Sequence, residues 1–349
     1  MAPPRFPSRR AARRAARRGR PLDGVPVGVA RPATGSLGSI VPAIDPAAPV
    51  IHSRRQPPIG IGATLASPFS VAETILTHRD IPYGDDGDGA HRFDLHLPDA
   101  CAAGSLPLVV WISGDDAWGG TPADCPLRWL VERGYAVASV GYRSADVAVF
   151  PAQLADCREA IATLVRDADT WGIDATRICV IGRGAGGHVA ALLALADHPD
   201  AAATNPPAEV AAACAIGAPS DLGHLGPHHD RATAAASRLV GGPLPELREA
   251  AQAASPLAHV SAADPPLLLV HGGHDADIPA DQTRQLAAAC RAAGIDCQAV
   301  VLEAAGHAIP LDAGTAAGAA VLAFLDRVLG PGDRRASSPP QDAAPGANP

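Results

Sequence analysis

Two kinds of apolar segment alternate along the middle of the chain. Residues 106–112 form a continuous apolar run, which is typical of a strand buried on both faces of a parallel sheet. Alternating apolar and polar residues predict a strand at 91–97, and further strands are predicted at residues 135–140, 178–181, 210–216, 267–270 and 298–302. Helix-forming stretches predict helices at residues 122–133, 152–170, 188–196, 280–293 and 312–328. This alternation predicts one doubly wound α/β domain with a mostly parallel sheet.

Three segments of different composition bound or interrupt this alternation. Residues 1–68 are rich in Pro, Gly, Arg and Ala and predict a disordered N-terminal region, and residues 331–349 predict a disordered tail in the same way. Residues 221–256 interrupt the order of strands and helices, so we interpret them as a lid inserted into the domain. The α/β domain is therefore expected to span residues 69–330.

Charge and hydropathy exclude several classes of partner. The hydrophobic content of 47% is sufficient for a sizeable core, and no apolar run approaches the roughly 20 residues of a membrane span. The first 20 residues carry eight Arg and no acid, so the net charge of −8 becomes −16 over residues 21–349. A body this acidic does not present a surface for phosphates, and we expect neither nucleic acid nor a membrane as its partner.

The seven cysteines show no C-x-x-C spacing. Cys179 and Cys214 lie within apolar runs and are expected to be small core residues. The arginine-rich N-terminal segment lacks the apolar stretch of a secretory signal. An odd number of cysteines without such a signal favours a reducing compartment, so we expect a cytoplasmic protein.

The strongest chemical signal is a glycine-rich turn between the strand at residues 178–181 and the helix that follows it. Residues 180–189 read Val-Ile-Gly-Arg-Gly-Ala-Gly-Gly-His-Val. A strand, a sharp turn and a helix in this order hold the nucleophile of many hydrolases in the pattern G-x-S-x-G. Gly182 and Gly186 match the two glycines of that pattern, and Gly184 occupies the position of the nucleophile.

An acid and a histidine follow at the positions that this chemistry requires. Asp275 lies after the strand at residues 267–270, and His307 lies after the strand at residues 298–302. The order of turn, acid and histidine matches hydrolases in which Asp orients His and His faces the nucleophile. We therefore expect Asp275 and His307 to lie together beside the turn. His271, which precedes the acid, is interpreted as a locally packed residue.

Further segments carry a resemblance to a known family. They are Phe93-Asp94-Leu95-His96-Leu97-Pro98, Phe150-Pro151-Ala152-Gln153, Trp171-Gly172-Ile173-Asp174, Arg177-Ile178 and Ser255-Pro256-Leu257. Together with the turn, the acid and the histidine, they make the chain similar to the esterase and lipase branch of the α/β-hydrolases. It resembles in particular the carboxylesterase-like group related to feruloyl esterase and kynurenine formamidase domains. The resemblance covers residues 70–330 and implies an α/β-hydrolase fold, action on carboxylic esters, and Asp275 and His307 as members of a catalytic triad.

Two departures from the family pattern change the expected activity. Gly184 replaces the serine nucleophile, so no acyl-enzyme can form through residue 184. The H-G-G-G-type oxyanion loop of the family appears here as Ser-Gly-Asp-Asp at residues 113–116. The residues expected to line the oxyanion side of the cleft are Gly114, Asp115, Asp116 and Ala185. The sequence thus predicts a catalytically impaired member of an ester-hydrolase lineage, with a small ester-like or acyl ligand or a protein as its partner.

Two other functions stay open at this point. An active or weakly active hydrolase would use His307 and Asp275 to activate water directly. Gly182, Gly184 and Gly187 also fit G-x-G-x-x-G between a strand and a helix, which is typical of dinucleotide binding. The second interpretation needs an acid about 20 residues further on, at the end of the next strand. Glu209 precedes the next strand, which begins near Val210, and Asp221 comes too late in the sequence.

A group of potential metal ligands lies in the predicted lid. It consists of His224, His228, His229 and Asp230. Because the surrounding segment is rich in Pro and Gly, we interpret the group as a solvated loop and predict neither a metal nor a cofactor.

Overall fold

An eight-stranded, mostly parallel sheet forms the centre of the part of the chain that the structure describes. The computed structural model describes residues 75–84, 89–99, 105–114, 117–123, 125–196, 209–227, 229–230 and 234–330. The strands are β1 (Ile75–Pro82), β2 (Arg92–Pro98), β3 (Leu106–Ile112), β4 (Ala136–Val140), β5 (Ile173–Arg183), β6 (Ala212–Ile216), β7 (Leu267–Gly272) and β8 (Cys297–Leu302). Their order in the sheet is β1-β2-β4-β3-β5-β6-β7-β8. The predicted doubly wound α/β class is confirmed.

Six neighbouring strands run parallel, namely β4, β3, β5, β6, β7 and β8. The antiparallel pairs lie at one edge of the sheet. The strand β2 pairs antiparallel with both β1 and β4. The sequence pattern did not predict β1, because this edge strand is largely exposed and lacks a continuous apolar run. Its register with β2 also shifts between His78 and Ile81, where Asp80 adopts a positive φ of 52°.

Seven α-helices cover the described part of the sheet or belong to its insertion. They are α1 (Ala152–Arg166), α2 (Ala168–Trp171), α3 (Ala185–Leu195), α4 (Ala235–Val240), α5 (Arg248–Ala253), α6 (Asp281–Ala292) and α7 (Ala316–Val328). Short 3-10 helices occur at Arg128–Arg133, Leu222–His224 and Pro256–His259. The helices predicted near residues 280–293 and 312–328 are therefore present with slightly different limits.

Two helix predictions were wrong in extent. The helix expected at 122–133 is reduced to the 3-10 helix Arg128–Arg133, since Pro126 lacks a backbone donor and disfavours a helical residue before it. The long helix expected at 152–170 is divided at Asp167, whose φ and ψ of −99° and 11° leave the helical region. The second piece, α2, ends at Gly172 in the left-handed conformation.

The strand β3 shows how the sheet separates two hydrophobic layers. Leu108, Val110 and Ile112 belong to one core cluster, together with apolar residues of α1, α3 and α6. Val109 and Trp111 point to the opposite face, where they join a second cluster that includes residues of α7. Because successive side chains of a strand point to opposite faces, a strand covered on both sides must be apolar throughout. This explains the continuous apolar run of the sequence.

The insertion between β6 and β7 carries a smaller cluster of its own. Leu222 and Leu239 of the insertion pack in one buried cluster with Trp118 and Ala185. Ala185 is the first residue of α3, so the insertion contacts the turn at the carboxyl end of β5. This places the insertion where a lid would lie, and its limits at 221–256 stay a prediction, as do the domain limits. The two predicted disordered segments lie outside the described residues.

Within the described residues, no helix combines the length and the apolar character that a membrane crossing requires.

The helix α3 buries a histidine in its neutral form. His188 is 1% exposed, and its Nδ1 lies 3.1 Å from the carbonyl oxygen of Pro219, which fixes Nδ1 as the donor. Its Nε2 has no hydrogen-bond partner among the described residues, and its ring lies 4.9 Å from that of Trp118. Burial lowers the pKa of His188 from 6.5 to about 4.

This buried histidine predicts a loss of stability at mildly acidic pH. His188 stays neutral in the folded chain down to pH about 4 but takes up a proton near pH 6.5 when unfolded. Stability linked to this group is therefore present above pH 6.5 and is lost as the pH falls. Between pH 7 and pH 5 the group alone removes about 2 kcal/mol of unfolding free energy. We expect His188→Asn to reduce this pH dependence in urea unfolding.

The exposed His274 provides the matched control. His274→Asn should keep the full pH dependence of the wild type. Equal pH dependence in His188→Asn and the wild type would contradict the assignment of a buried neutral imidazole.

Candidate active site

A one-residue turn joins β5 to α3. Gly184 adopts φ 57° and ψ −123°, a conformation that L side chains rarely take. Its N–H donates to the carbonyl oxygen of Ile216 on β6 at 2.8 Å, and its own carbonyl accepts from the His188 N–H at 3.0 Å. The backbone of Gly184 is thus held from two sides. The strand, sharp turn and helix follow the path that holds a hydrolase nucleophile.

The space beside Gly184 faces an imidazole. A Cβ built on Gly184 would lie 3.4 Å from Nε2 of His307 and 3.8 Å from its Cε1. These distances correspond to van der Waals contact, so a small side chain would reach the ring without a severe clash. Residue 184 therefore occupies the point at which His307 could exchange a proton with a group on the turn.

His307 is oriented by a buried carboxylate. Its Nδ1 donates to Oδ2 of Asp275 at 2.8 Å. The other carboxylate oxygen, Oδ1, accepts from the backbone N–H groups of Asp277 at 3.0 Å and Ile278 at 2.9 Å. The Asp275 side chain is fully buried, and that of His307 is about one third exposed. The carboxylate holds the imidazole in the tautomer that leaves Nε2 available towards Gly184.

A second histidine supports the carboxylate, and its contacts were not predicted. His271 Nε2 donates to the carbonyl oxygen of Ile278 at 2.9 Å and lies 3.3 Å from Asp275 Oδ2. Its Nδ1 accepts from the Thr283 hydroxyl at 2.7 Å. Burial lowers the pKa of His271, although the Ile278 carbonyl and Asp275 act in the opposite direction. The interpretation of His271 as locally packed omitted its contact with the acid, which the four-residue spacing between them could have suggested.

The end of β3 approaches the same turn. A Cβ on Gly114 would lie 2.9 Å from the backbone nitrogen of Ala185 and closer still to that of Gly186, so this close approach requires glycine. Two residues of the predicted oxyanion side, Gly114 and Ala185, are therefore neighbours. The other two, Asp115 and Asp116, lie outside the described residues.

The nearby serines are engaged elsewhere. The Ser113 hydroxyl donates to the carbonyl oxygen of Thr121 at 2.9 Å and accepts from the Thr121 N–H at 3.1 Å. Ser220 is buried, and its hydroxyl donates to the Gln282 carbonyl oxygen at 2.7 Å. Neither hydroxyl is positioned as a partner of His307 in these hydrogen bonds.

The dinucleotide interpretation is not favoured by this geometry. The strand β5 is internal to the sheet, between β3 and β6. The residue after β6 is Gly217, and a Cβ there would lie 3.6 Å from Asp275 Oδ2. The acid beside the glycine-rich turn is thus Asp275, which is bonded to a histidine. A dinucleotide site would instead place an acid at the end of the strand after the turn.

Two of the potential metal ligands of the insertion that the structure describes are bonded to other groups. His224 Nδ1 pairs with Asp221 Oδ2 at 2.7 Å, and His229 Nε2 donates to the backbone oxygen of Asp277 at 3.0 Å. His228 lies outside the described residues. A different group, formed by Asp275, Asp277 and His307, has ligand atoms within 4.8 Å of one another. A cation there would compete with the hydrogen bond between Asp275 and His307.

An open cavity of about 310 Å³ lies beside the loop that follows β3. Gly120, Thr121 and Arg143 contribute to its lining, whereas Asp275 and His307 do not. The Arg143 guanidinium is held by Asp156 through hydrogen bonds of 2.9 and 2.5 Å. This ion pair holds one wall of the cavity in place.

The fold and the arrangement of turn, acid and histidine define a protein of the α/β-hydrolase class with esterase-like organisation. The family model described as BD-FAE matches residues 93–290. The chain therefore belongs to the BD-FAE family. The predicted esterase lineage within the α/β-hydrolases is confirmed at this level.

Curated relatives are esterases by name. Esterase LipQ of Mycobacterium tuberculosis is 30% identical over 228 residues, which cover 62% of this chain and 53% of LipQ. Esterase LipC of the same organism is 29% identical over 269 residues, which cover 72% of this chain and 65% of LipC. Isoprenylcysteine alpha-carbonyl methylesterase ICME of Arabidopsis thaliana is 26% identical over 248 residues, which cover 66% of this chain and 56% of ICME. The chain thus spans about half to two thirds of the length of these relatives.

Solved structures show the same fold. A truncated carbohydrate esterase from gut microbiota superposes with a TM-score of 0.65 at 22% identity, covering 74% of this chain and 98% of that protein. The esterase Est2 of Thermogutta terrifontis superposes with a TM-score of 0.58 at 23% identity, covering 74% of this chain and 95% of Est2.

The backbone of Gly184 predicts a stability cost for any side chain at this position. We expect Gly184→Ala to lower the free energy of unfolding by about 1–3 kcal/mol, because a non-glycine residue would be strained in this conformation. Urea unfolding measures the difference. Gly314→Ala serves as the control, since Gly314 has ordinary φ and no atoms near its Cβ position. If Gly184→Ala is as stable as the wild type, the turn relaxes easily and our description of it is wrong.

Proposed function

We propose that this chain binds a carboxylic ester or a related acyl ligand in an esterase cleft and forms no covalent acyl intermediate with it. The observation that carries the proposal is the identity of residue 184. The residue that faces Nε2 of His307 is a glycine, which has no hydroxyl. The chain would then be a catalytically impaired member of a carboxylic-ester hydrolase lineage.

The chemistry of acyl transfer explains why one residue matters so much. A covalent route needs a nucleophilic oxygen within hydrogen-bond reach of the histidine that takes its proton. Loss of the nucleophile from such a group typically lowers turnover by about 10⁶-fold. The remaining rate is roughly 10³–10⁴-fold above that of the uncatalysed reaction in water. With Gly184 the catalytic part of the site is incomplete, while the groups that orient a ligand are retained.

The retained groups support binding of an ester. His307 offers an Nε2 held by Asp275, which can accept or donate a hydrogen bond according to its protonation. The Ala185 N–H lies directly after the turn, where an oxyanion donor lies in this fold class. The names of the relatives LipQ, LipC and ICME agree in describing action on esters.

The sequence beside Gly114 also favours impaired catalysis. Asp115 and Asp116 follow it in the loop where the family has glycines. A carboxylate about 4 Å from a developing oxyanion would raise its energy by roughly 1–4 kcal/mol, depending on the effective dielectric. Restoring a hydroxyl at residue 184 would therefore restore covalent chemistry only in part.

A second function, slow hydrolysis by activated water, is supported by the space at residue 184. Residue 184 has no side chain, and Nε2 of His307 lies 3.4 Å from the position that its Cβ would take. His307 would remove a proton from that water as its oxygen adds to the ester carbonyl carbon, and Asp275 would stabilise the imidazolium. Collapse of the adduct would break the bond to the alcohol oxygen, which takes the proton from His307.

Covalent labelling tests the main proposal. Wild-type chain should not react with a fluorophosphonate, because this reagent requires an activated hydroxyl. Gly184→Ser should be labelled at position 184, since the new hydroxyl would lie within reach of His307 Nε2. Intact-mass spectrometry with peptide mapping measures both results.

His307→Ala in the Gly184→Ser background is the control, and it should abolish labelling. Stoichiometric labelling of the wild type at any serine would show that a relocated nucleophile exists and would overturn the proposal.

Ester turnover distinguishes the two candidate functions. For a purely binding protein, hydrolysis of a short-chain chromogenic ester should be the same for wild type and His307→Ala. His274→Ala is the matched control, because His274 is exposed and precedes Asp275 in the loop after β7. A drop of about 10²-fold or more in the ester turnover of His307→Ala alone would favour the water-activating hydrolase instead.

The cytoplasmic location stays a prediction, as does a protein partner.

A further inference from the structure

His271 is held by regular secondary structure and not by a loop. It lies near the end of β7, in register with Val301 of β8, and its side chain is fully buried. Thr283 belongs to the first turn of α6 and is also buried, and its hydroxyl lies 2.7 Å from Nδ1 of His271. Strand β7 and helix α6 thus hold two buried polar side chains together, and the first of them contacts Asp275.

The contacts of His271 define its tautomer. Its Nε2 lies 2.9 Å from the carbonyl oxygen of Ile278 and 3.3 Å from Oδ2 of Asp275. A carbonyl and an ionised carboxylate can only accept hydrogen bonds, so Nε2 carries the proton. Burial lowers the pKa of His271 and thereby favours the neutral ring. Nδ1 is then an acceptor, and the Thr283 hydroxyl donates to it.

The Asp275 carboxylate is surrounded by donors. Oδ1 accepts from the backbone N–H groups of Asp277 and Ile278. Oδ2 lies 2.8 Å from Nδ1 of His307 and 3.3 Å from Nε2 of His271. An ionised carboxylate offers about four acceptor sites. Because a buried charge is stable only when such sites are filled, each donor contributes to fixing the carboxylate.

His271 also holds the loop that carries one of these donors. Its Nε2–H donates to the carbonyl oxygen of Ile278, and the N–H of Ile278 donates to Oδ1 of Asp275 at 2.9 Å. Loss of the imidazole would release Ile278 as well as the direct contact with Oδ2. One side chain therefore acts on both oxygens of the acid.

We propose that His271, fixed by Thr283, is a positioning residue of the candidate site, which acts through Asp275 to keep His307 in the tautomer whose Nε2 faces residue 184. His271 takes no part in proton transfer itself. The inference rests on the proposed function in one respect, since it concerns the group that would meet the ligand. The state of His307 can nevertheless be measured without any ligand.

The tautomers of the two histidines test the proposal in the ligand-free chain. Long-range proton–nitrogen NMR spectra distinguish a neutral imidazole protonated at Nδ1 from one protonated at Nε2. In alkaline buffer we expect His271 of the wild type to carry its proton at Nε2 and His307 to carry its proton at Nδ1. A wild-type His271 protonated at Nδ1 would overturn the proposal without any variant.

Substitution of His271 tests its effect on His307. His271→Phe removes both ring nitrogens and keeps a planar ring. We expect His307 then to show a mixture of tautomers, because neither Oδ2 of Asp275 nor Ile278 is held. His271→Gln keeps an N–H donor at about the reach of Nε2 and should retain the single tautomer of His307. A folded His271→Phe chain in which His307 stays protonated only at Nδ1 would contradict the proposal.

Variants of α6 separate positioning from general stability. Thr283→Val removes the hydroxyl and should shift His307 towards the mixture, whereas Thr283→Ser keeps a hydroxyl and should not. Cys290→Ala removes buried volume in the last turn of α6. It should lower the melting temperature and leave the His307 tautomer unchanged. A mixture of His307 tautomers in Cys290→Ala would show that the tautomer follows overall stability, and the proposal would fail.

A covalent readout connects this role with the proposed function. In the Gly184→Ser background, His271→Phe should lower the rate of fluorophosphonate labelling by about 10²-fold, the scale expected when a reacting group is misplaced. His271→Gln should retain most of that rate. If Gly184→Ser alone is not labelled, the proposed function fails, and the tautomers decide the role of His271. Equal labelling rates with and without His271→Phe would contradict the positioning role.

Discussion

The parallel alignment of β5, β6, β7 and β8 is the constraint on which the candidate site depends. Parallel strands end at the same edge of a sheet, so the loops that follow them meet there. Gly184 follows β5, Asp275 follows β7 and His307 follows β8. Asp275 and His307 thereby come within hydrogen-bond distance, and Gly184 lies beside the His307 ring. The hydrogen bond from Gly184 to Ile216 ties the turn to the next strand of the same edge.

At this edge the chain combines a strained turn with a residue that relieves the strain. A serine at an elbow of this kind must adopt a backbone conformation that costs of order 1–3 kcal/mol. Glycine adopts the same conformation without that cost, although it provides no nucleophile. The acid and histidine are nevertheless held by His271, Ile278 and the buried environment of Asp275. This arrangement fits our proposal that the site holds a ligand without covalent turnover.

The sequence predicted the sheet better than the helices around it. Continuous apolar runs located β3 because two hydrophobic layers require every residue of that strand to be buried. The exposed edge strand β1 leaves no comparable pattern, and the break at Asp167 depends on local backbone preference within an otherwise amphipathic stretch. The proximity of Asp275 and His307 followed from chain order. The four-residue spacing between His271 and Asp275 only suggests a contact between them, because the contact itself depends on how the loop after β7 folds back.

Histidine-selective NMR of the wild-type chain with a ketone isostere of a short-chain ester tests the central claim most directly. If the site binds an ester-like ligand without covalent chemistry, the imidazole signals of His307 should shift progressively and reversibly as the ligand is added. Slow-exchange signals of a covalent adduct would contradict the account, as would a His307 resonance that is unchanged at saturating ligand.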